Sequence, residues 1–215
     1  SGIWFKPAPF DYREVLHERL HELQNIIEEQ SFTIQSLSGL SASEIKNASS
    51  GEDEIALSYR YALVNLNPFV LLGADYSKFN QNGELDLFNG NTKQGNLSVA
   101  YLYDRADMLS KVITNNINDG DNSSKIKYKD VKSGITVVQP DLSEPQKSIV
   151  FGSEKGGRLE GTNIPTTEEG FNDRIYGMSG SDIIKGYAGD DYLEGGKGRD
   201  TMYGGDGNDT FYVMG

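Results

Sequence analysis

The chain has 215 residues, a formal net charge of −12, a pI near 4.6 and no cysteine. A surface this acidic repels nucleic acid and anionic lipid and draws cations, and an exported chain without cysteine must fold without disulfide staples. The longest apolar run, Phe69-Val70-Leu71-Leu72, is far too short for a membrane span, and Ser1 to Arg13 lacks the basic start and apolar stretch of a leader; with its Ser1-Gly2 opening the chain is expected to be a fragment of a longer protein.

The first predicted element is a helix. Asp11 and Glu14 have capping-box spacing, and Leu16, Leu20, Leu23 and Ile27 then line one face as far as about Gln30. The same stretch holds His17-Glu18-Arg19-Leu20-His21, an H-E-x-x-H match using the only two histidines of the chain. Imidazoles at i and i+4 can share a zinc ion, with Glu18 as general base for a bound water. A third ligand would have to come from Glu28, Glu44 or Glu54. Gln24 to Gln30 supplies neither the glycine nor the third histidine of the longer metzincin signature, and only sixteen residues precede the motif. The bland reading is two half-buried polar residues flanking the leucine face.

Ser41 and Glu44 repeat the capping box before a shorter helix. Ile55, Tyr59, Leu63 and Leu66 stripe a second long helix, stopped by Pro68. Glu84 to Phe88 alternates between Asn82-Gly83 and Asn89-Gly90, which predicts a short strand. Leu102, Ala106, Leu109, Ile113 and Ile117 stripe a third helix, ended by Gly120. Lys125 to Val131 and Ile135 to Gln139 then alternate across Ser133-Gly134, the pattern of a hairpin. Residues 1–145 are thus expected to form an α+β module with long helices and short hairpins, its faces core rather than site. Gln139-Pro140-Asp141 and Glu144-Pro145 mark a linker.

Beyond it, at 146–215, the composition changes. Of 25 glycines, 16 lie between Phe151 and Gly215, among twelve Asp and Glu and six Lys and Arg. This part divides into nines: Gly177–Lys185, Gly186–Glu194, Gly195–Tyr203 and Gly204–Tyr212, each with aspartate sixth and an apolar residue eighth. Upstream the pattern decays. Gly157 stands where the aspartate of Gly152–Glu160 belongs, and an insertion around Pro165 to Gly170 precedes Asn172-Asp173-Arg174-Ile175. The G-G-x-G-x-D-x-U-x nonapeptide is the calcium-binding repeat of parallel β-rolls. Its six-residue turn aims carbonyls at an ion that prefers six to eight oxygens, the aspartate adds charge, and the last three residues form a strand. The eighth side chains, Ile175, Ile184, Leu193, Met202 and Phe211, are expected to point inward. Turns eighteen residues apart should stack. One ion then lies between the turns of Gly177, Ser179, Gly180, Asp182 and of Gly195, Gly196, Lys197, Gly198, Asp200. A second lies between those of Gly186, Ala188, Gly189, Asp191 and of Gly204, Gly205, Asp206, Gly207, Asp209. Asp173 could complete a third, for two to four calcium ions in all.

These repeats resemble those of RTX exoproteins: haemolysin-type toxins, iron-regulated FrpC-like proteins, serralysin proteases and lipases. Tyr101 to Leu109 and Tyr128 to Gly134 resemble the segment before the repeats in FrpC-like proteins. The resemblance implies a secreted, extracellular protein that leaves through type I secretion machinery unfolded and folds in external calcium. It leaves a membrane or host-cell target to the parent protein, and with no basic aromatic patch no nucleic-acid partner is expected. A phosphate loop, a G-x-S-x-G elbow and a cysteine nucleophile are all missing. The expectation is a calcium-binding, calcium-folded C-terminal region of a toxin or exoenzyme. Its rivals are a zinc metallopeptidase built on His17, Glu18 and His21, or the non-catalytic tail of a hydrolase whose active site lies upstream.

Overall fold

The structure, a computed structural model, describes residues 31–117, 126–137, 147–163 and 171–214. The expected first helix, with His17, Glu18 and His21, lies outside them.

The chain enters at β1 (Thr33–Ser36), which pairs antiparallel with β2 (Phe69–Leu72). Between them stand α1 (Ala42–Ser49) and α2 (Glu54–Asn65). Ser41 makes the expected reciprocal cap of α1: its Oγ accepts from the Glu44 N–H at 3.2 Å, and the Glu44 carboxylate accepts from the Ser41 N–H at 2.8 Å. Asp53 caps α2 by accepting from the Ala56 N–H at 2.7 Å, and Leu66 ends it in the left-handed conformation two residues before Pro68. Tyr59, Leu63 and Leu66 are buried as the stripe predicts. Ile55 is not, being 54% exposed, because it sits in the first turn of α2 with the core behind it.

The strand expected at Glu84 to Phe88 does not form. The Asn80 side chain captures this segment instead: its Oδ1 accepts from the Leu85 N–H, and its Nδ2 donates to the Asp86 carboxylate, both at 2.8 Å. Only the bridges Leu87 to Leu97 and Asn89 to Gln94 remain. Ser98 then caps α3 (Val99–Ile117), accepting from the Tyr101 N–H at 2.9 Å. Leu102, Ala106, Leu109 and Ile113 bury the predicted face.

The remaining strands build a β-solenoid of about three turns. They are β3 (Ile126–Asp130), β4 (Thr136–Val137), β5 (Lys147–Ser153), β6 (Arg158–Glu160), β7 (Arg174–Met178), β8 (Ile183–Ala188), β9 (Tyr192–Glu194), β10 (Thr201–Asp206) and β11 (Thr210–Tyr212). One parallel sheet runs β6-β8-β10. The other runs β3-β5-β7-β9-β11, parallel throughout, with β4 hydrogen-bonded antiparallel to β3 at its edge. The hairpin read from the sequence is β3–β4. This sheet runs unbroken from β3 to β11, across the linker expected near residue 145.

Each eighth-place residue pairs with one eighteen residues on, as Ile184 with Met202 and Leu193 with Phe211. Upstream the offset is 25, Val150 opposite Ile175 and Leu159 opposite Ile184, so this interval is seven residues longer and the strands still keep their register. Val150, Leu159, Ile175, Ile184 and Leu193 fill the space between the sheets, with Met202 partly covered. Phe211 shares the pattern but is 49% exposed, because no coil follows it in the described residues.

Seventh- and ninth-place side chains point outward, and the two sheets treat them differently. On the β5-β7-β9 face, Ile149, Phe151 and Tyr176 join Leu97, Tyr101, Leu102 and Leu109 in one core. Tyr101 meets Phe151 and Tyr176 edge-on at 5.5 and 5.6 Å. Arg105 of α3 is buried. It donates to Leu63 O and Val64 O at the end of α2 and pairs with Asp130 of β3 at 2.8 Å. On the β6-β8-β10 face Ile183 and Tyr203 are exposed.

Candidate metal centre

The turns between strands stack in two rows, one on each side of the roll. In the first row the Gly180 N–H donates to Lys197 O and the Lys197 N–H to Met178 O, both at 2.8 Å. In the second the Gly189 N–H donates to Asp206 O at 2.8 Å. Each turn needs two positive φ angles. Position four is glycine every time, at +105° in Gly180, +123° in Gly189, +132° in Gly198 and +128° in Gly207. Position two is glycine in the last two units, but Met178 and Tyr187 hold φ of 77° and 89° there, a strained choice for L side chains.

The sixth-place aspartates form hydrogen-bonded ladders. Asp200 Oδ1 accepts from the Asp182 N–H at 2.9 Å, and Asp182 Oδ1 from the Gly157 N–H at 2.7 Å. In the other row Asp209 Oδ1 accepts from the Asp191 N–H at 3.0 Å, Asp191 Oδ1 from the Asp173 N–H at 2.7 Å, and Asp173 Oδ1 from the Ser148 N–H at 2.5 Å. At least one oxygen of each carboxylate is spent on the fold.

The other oxygens of Asp182 and Asp191 are buried without a hydrogen-bond partner. Both face the first glycine of their own turn. A Cβ on Gly177 would stand 2.9 Å from Asp182 Oδ2 and overlap Gly195 O; one on Gly186 would overlap Asp191 Oδ2 and stand 2.7 Å from Gly204 O. A carboxylate oxygen and a carbonyl from the next turn therefore converge on a space that only glycine leaves open. Burial, with help from neighbouring Asp200, pushes Asp182 up to about 6 against the Gly157 hydrogen bond. Burial pushes Asp191 up to about 7 against the Asp173 N–H, with Asp173, Asp209 and Asp190 adding repulsion. A buried, orphaned, mutually repelling row of carboxylates calls for a cation.

Among the described residues no three His, Cys, Asp or Glu side chains gather as a metal site would require. An ion here would draw on backbone carbonyls as well as aspartates, as calcium's preference for many oxygens allows. Gly177, Ser179, Gly180 and Asp182 lie over Gly195, Gly196, Lys197, Gly198 and Asp200. Gly186, Ala188, Gly189 and Asp191 lie over Gly204, Gly205, Asp206, Gly207 and Asp209. Lys197 turns its ammonium away, to Asn82 O at 3.1 Å. A second ladder escaped the sequence reading: the Asn208 N–H donates to Asp190 Oδ1 at 2.8 Å, and the Asp190 N–H to Asn172 Oδ1 at 2.9 Å. Its signal was Asn or Asp at the fifth place every eighteen residues.

A protein-family model described as the RTX calcium-binding nonapeptide repeat (4 copies) matches residues 169–202 and 186–213. The chain thus carries RTX-type calcium-binding repeats through the second half of its roll. No curated protein and no solved structure matches the chain. Among the described residues no helix is long and apolar enough to cross a membrane.

Proposed function

We propose that the chain is the calcium-switched C-terminal region of a larger RTX-type toxin or exoenzyme of the FrpC-like kind, exported by type I secretion machinery and folded outside the cell. Residues 146–215 carry the switch, and residues 1–145 are the module that stands on the roll. The observation that carries this reading is the pair of buried, unpartnered oxygens on Asp182 and Asp191, each set against a glycine carbonyl of the next turn. Without a cation, the charge in the two rows opposes closure of a roll whose inner core is one side chain wide. With calcium, the same charge holds successive coils together. The shared core between α3 and the β5-β7-β9 face then makes the roll a platform for the helices.

The test is far-UV circular dichroism during a calcium titration of metal-free protein at pH 8, with magnesium as control. A calcium-specific gain of β signal is expected at millimolar concentration or below. A spectrum indifferent to calcium would remove the switch.

A further inference from the structure

The sixth-place carboxylates are not equivalent. Asp182 and Asp191 each keep one buried oxygen without a partner. Asp173 does not. Its Oδ2 accepts from the Thr162 N–H, and its Oδ1 from the Ser148 N–H at 2.5 Å and the Thr162 hydroxyl at 3.2 Å. Thr162 Oγ1 and Ser148 Oγ, 2.9 Å apart, close the group. The cradle around it copies the other two: a Cβ on Gly161 would overlap Asp173 Oδ2 and stand 2.8 Å from Gly186 O. Where an ion would stand in the others, hydrogen-bond donors stand here. In the opposite row Gly157 replaces the aspartate, so the turn below Asp182 brings an N–H and no sixth-place charge.

We infer that the first coil of the roll is a calcium-free cap. The ions are two, one at Asp182 and Asp200 and one at Asp191 and Asp209, and the third expected at Asp173 is replaced by Thr162 and Ser148. The inference rests on the calcium reading above and assigns it a boundary. The cap is bolted to the helices by the Arg105–Asp130 pair, by Arg174 donating to Asp104 at 2.5 Å, and by Tyr101 against Phe151 and Tyr176. It therefore stands folded before calcium arrives. Its Asp173 and Gly157 N–H groups then hold Asp191 and Asp182 in place as the first ligands, so the switched coils grow away from the helical module.

Hydrogen exchange by mass spectrometry on the full chain, with and without calcium, tests the boundary, and equilibrium dialysis counts the ions. Without calcium, 101–113, 126–130 and 147–153 should stay protected while 183–212 exchanges at once; with calcium, 183–212 becomes protected and two ions bind. Asp173→Asn should still bind two ions and Asp191→Asn one. Three ions on the wild-type chain, one ion fewer in Asp173→Asn, or loss of protection at 147–153 when calcium is removed would each overturn the cap while leaving the switch intact. Indifference of 183–212 to calcium would overturn the switch, and the cap with it.

Discussion

Replacing Asp191 by asparagine should move stability in opposite directions with and without calcium. Burial raises this carboxyl from 3.8 to about 7. A group whose folded-state pKa is raised favours the fold while neutral: the contribution is complete below the unfolded value and disappears as pH rises through the folded one. Across about three pH units at 1.36 kcal/mol each, the ionised carboxylate costs the calcium-free roll at most about 4 kcal/mol. The exposed neighbours Asp190, Gly207 and Asn208 admit water that screens the charge. Half that value, about 2 kcal/mol, is the working expectation. Asparagine keeps the acceptor for the Asp173 N–H and turns a donor toward Gly204 O. In metal-free buffer at pH 8, where the wild-type coils at 183–212 stand open, Asp191→Asn should therefore shift their folding constant roughly thirtyfold toward the closed roll, about 2 kcal/mol, read as a gain of β signal in far-UV circular dichroism. At pH 3, below the unfolded value, the two proteins should coincide, since the wild-type carboxyl is then neutral in both states. In saturating calcium the order reverses. A variant less stable than wild type at pH 8 without calcium, or a wild-type roll whose calcium-free stability is flat from pH 4 to 8, would refute the electrostatic account.

Three further outcomes follow from geometry. Gly186→Ala puts a methyl group onto Asp191 Oδ2 and beside Gly204 O, so dialysis should count one calcium ion fewer. Tyr187→Gly relieves a φ of 89° at the cost of an exposed hydrogen bond to Glu160, and urea melts of the calcium-loaded protein should show a gain of about 1 kcal/mol. Arg105→Met strands buried Asp130 and leaves the carbonyls of Leu63 and Val64 without their donor; a loss of about 3–5 kcal/mol is expected in chemical denaturation, with partial recovery in Arg105→Met/Asp130→Leu.

The roll was legible because its constraints are local and recur: glycine where a turn needs positive φ, aspartate where a carboxylate must reach the next N–H, an apolar residue where a strand faces inward. The cap at Ser41 and the stripe of α3 were legible for the same reason. What escaped depends on distance in the chain. That Val150 and Leu159 belong to the inner ladder is hidden by an offset of 25 instead of eighteen. The covering of Phe151 and Tyr176 by α3 involves residues 50 to 75 positions apart, and nothing in the seventh and ninth places says which sheet will be covered. Glu84 to Phe88 alternates like a strand, yet Asn80 offers the backbone a nearer partner. Phe211 obeys the pattern and is exposed because a rule about direction says nothing about cover.

The unequal treatment of the two outer faces sets a reading frame for the roll. α3 recognises ninth-place residues on one sheet only; Ser98, at its start, donates to the buried Glu194 carboxylate at 2.7 Å. Inserting or deleting one nonapeptide upstream of Glu194 would shift every later unit by half a coil, carry this glutamate to the opposite face and offer α3 a different set of side chains. A change of two nonapeptides would restore the phase and merely lengthen or shorten the roll by one strand spacing, about 4.8 Å. The helical module thus makes the pair of units, rather than the single unit, the quantum in which this solenoid can grow.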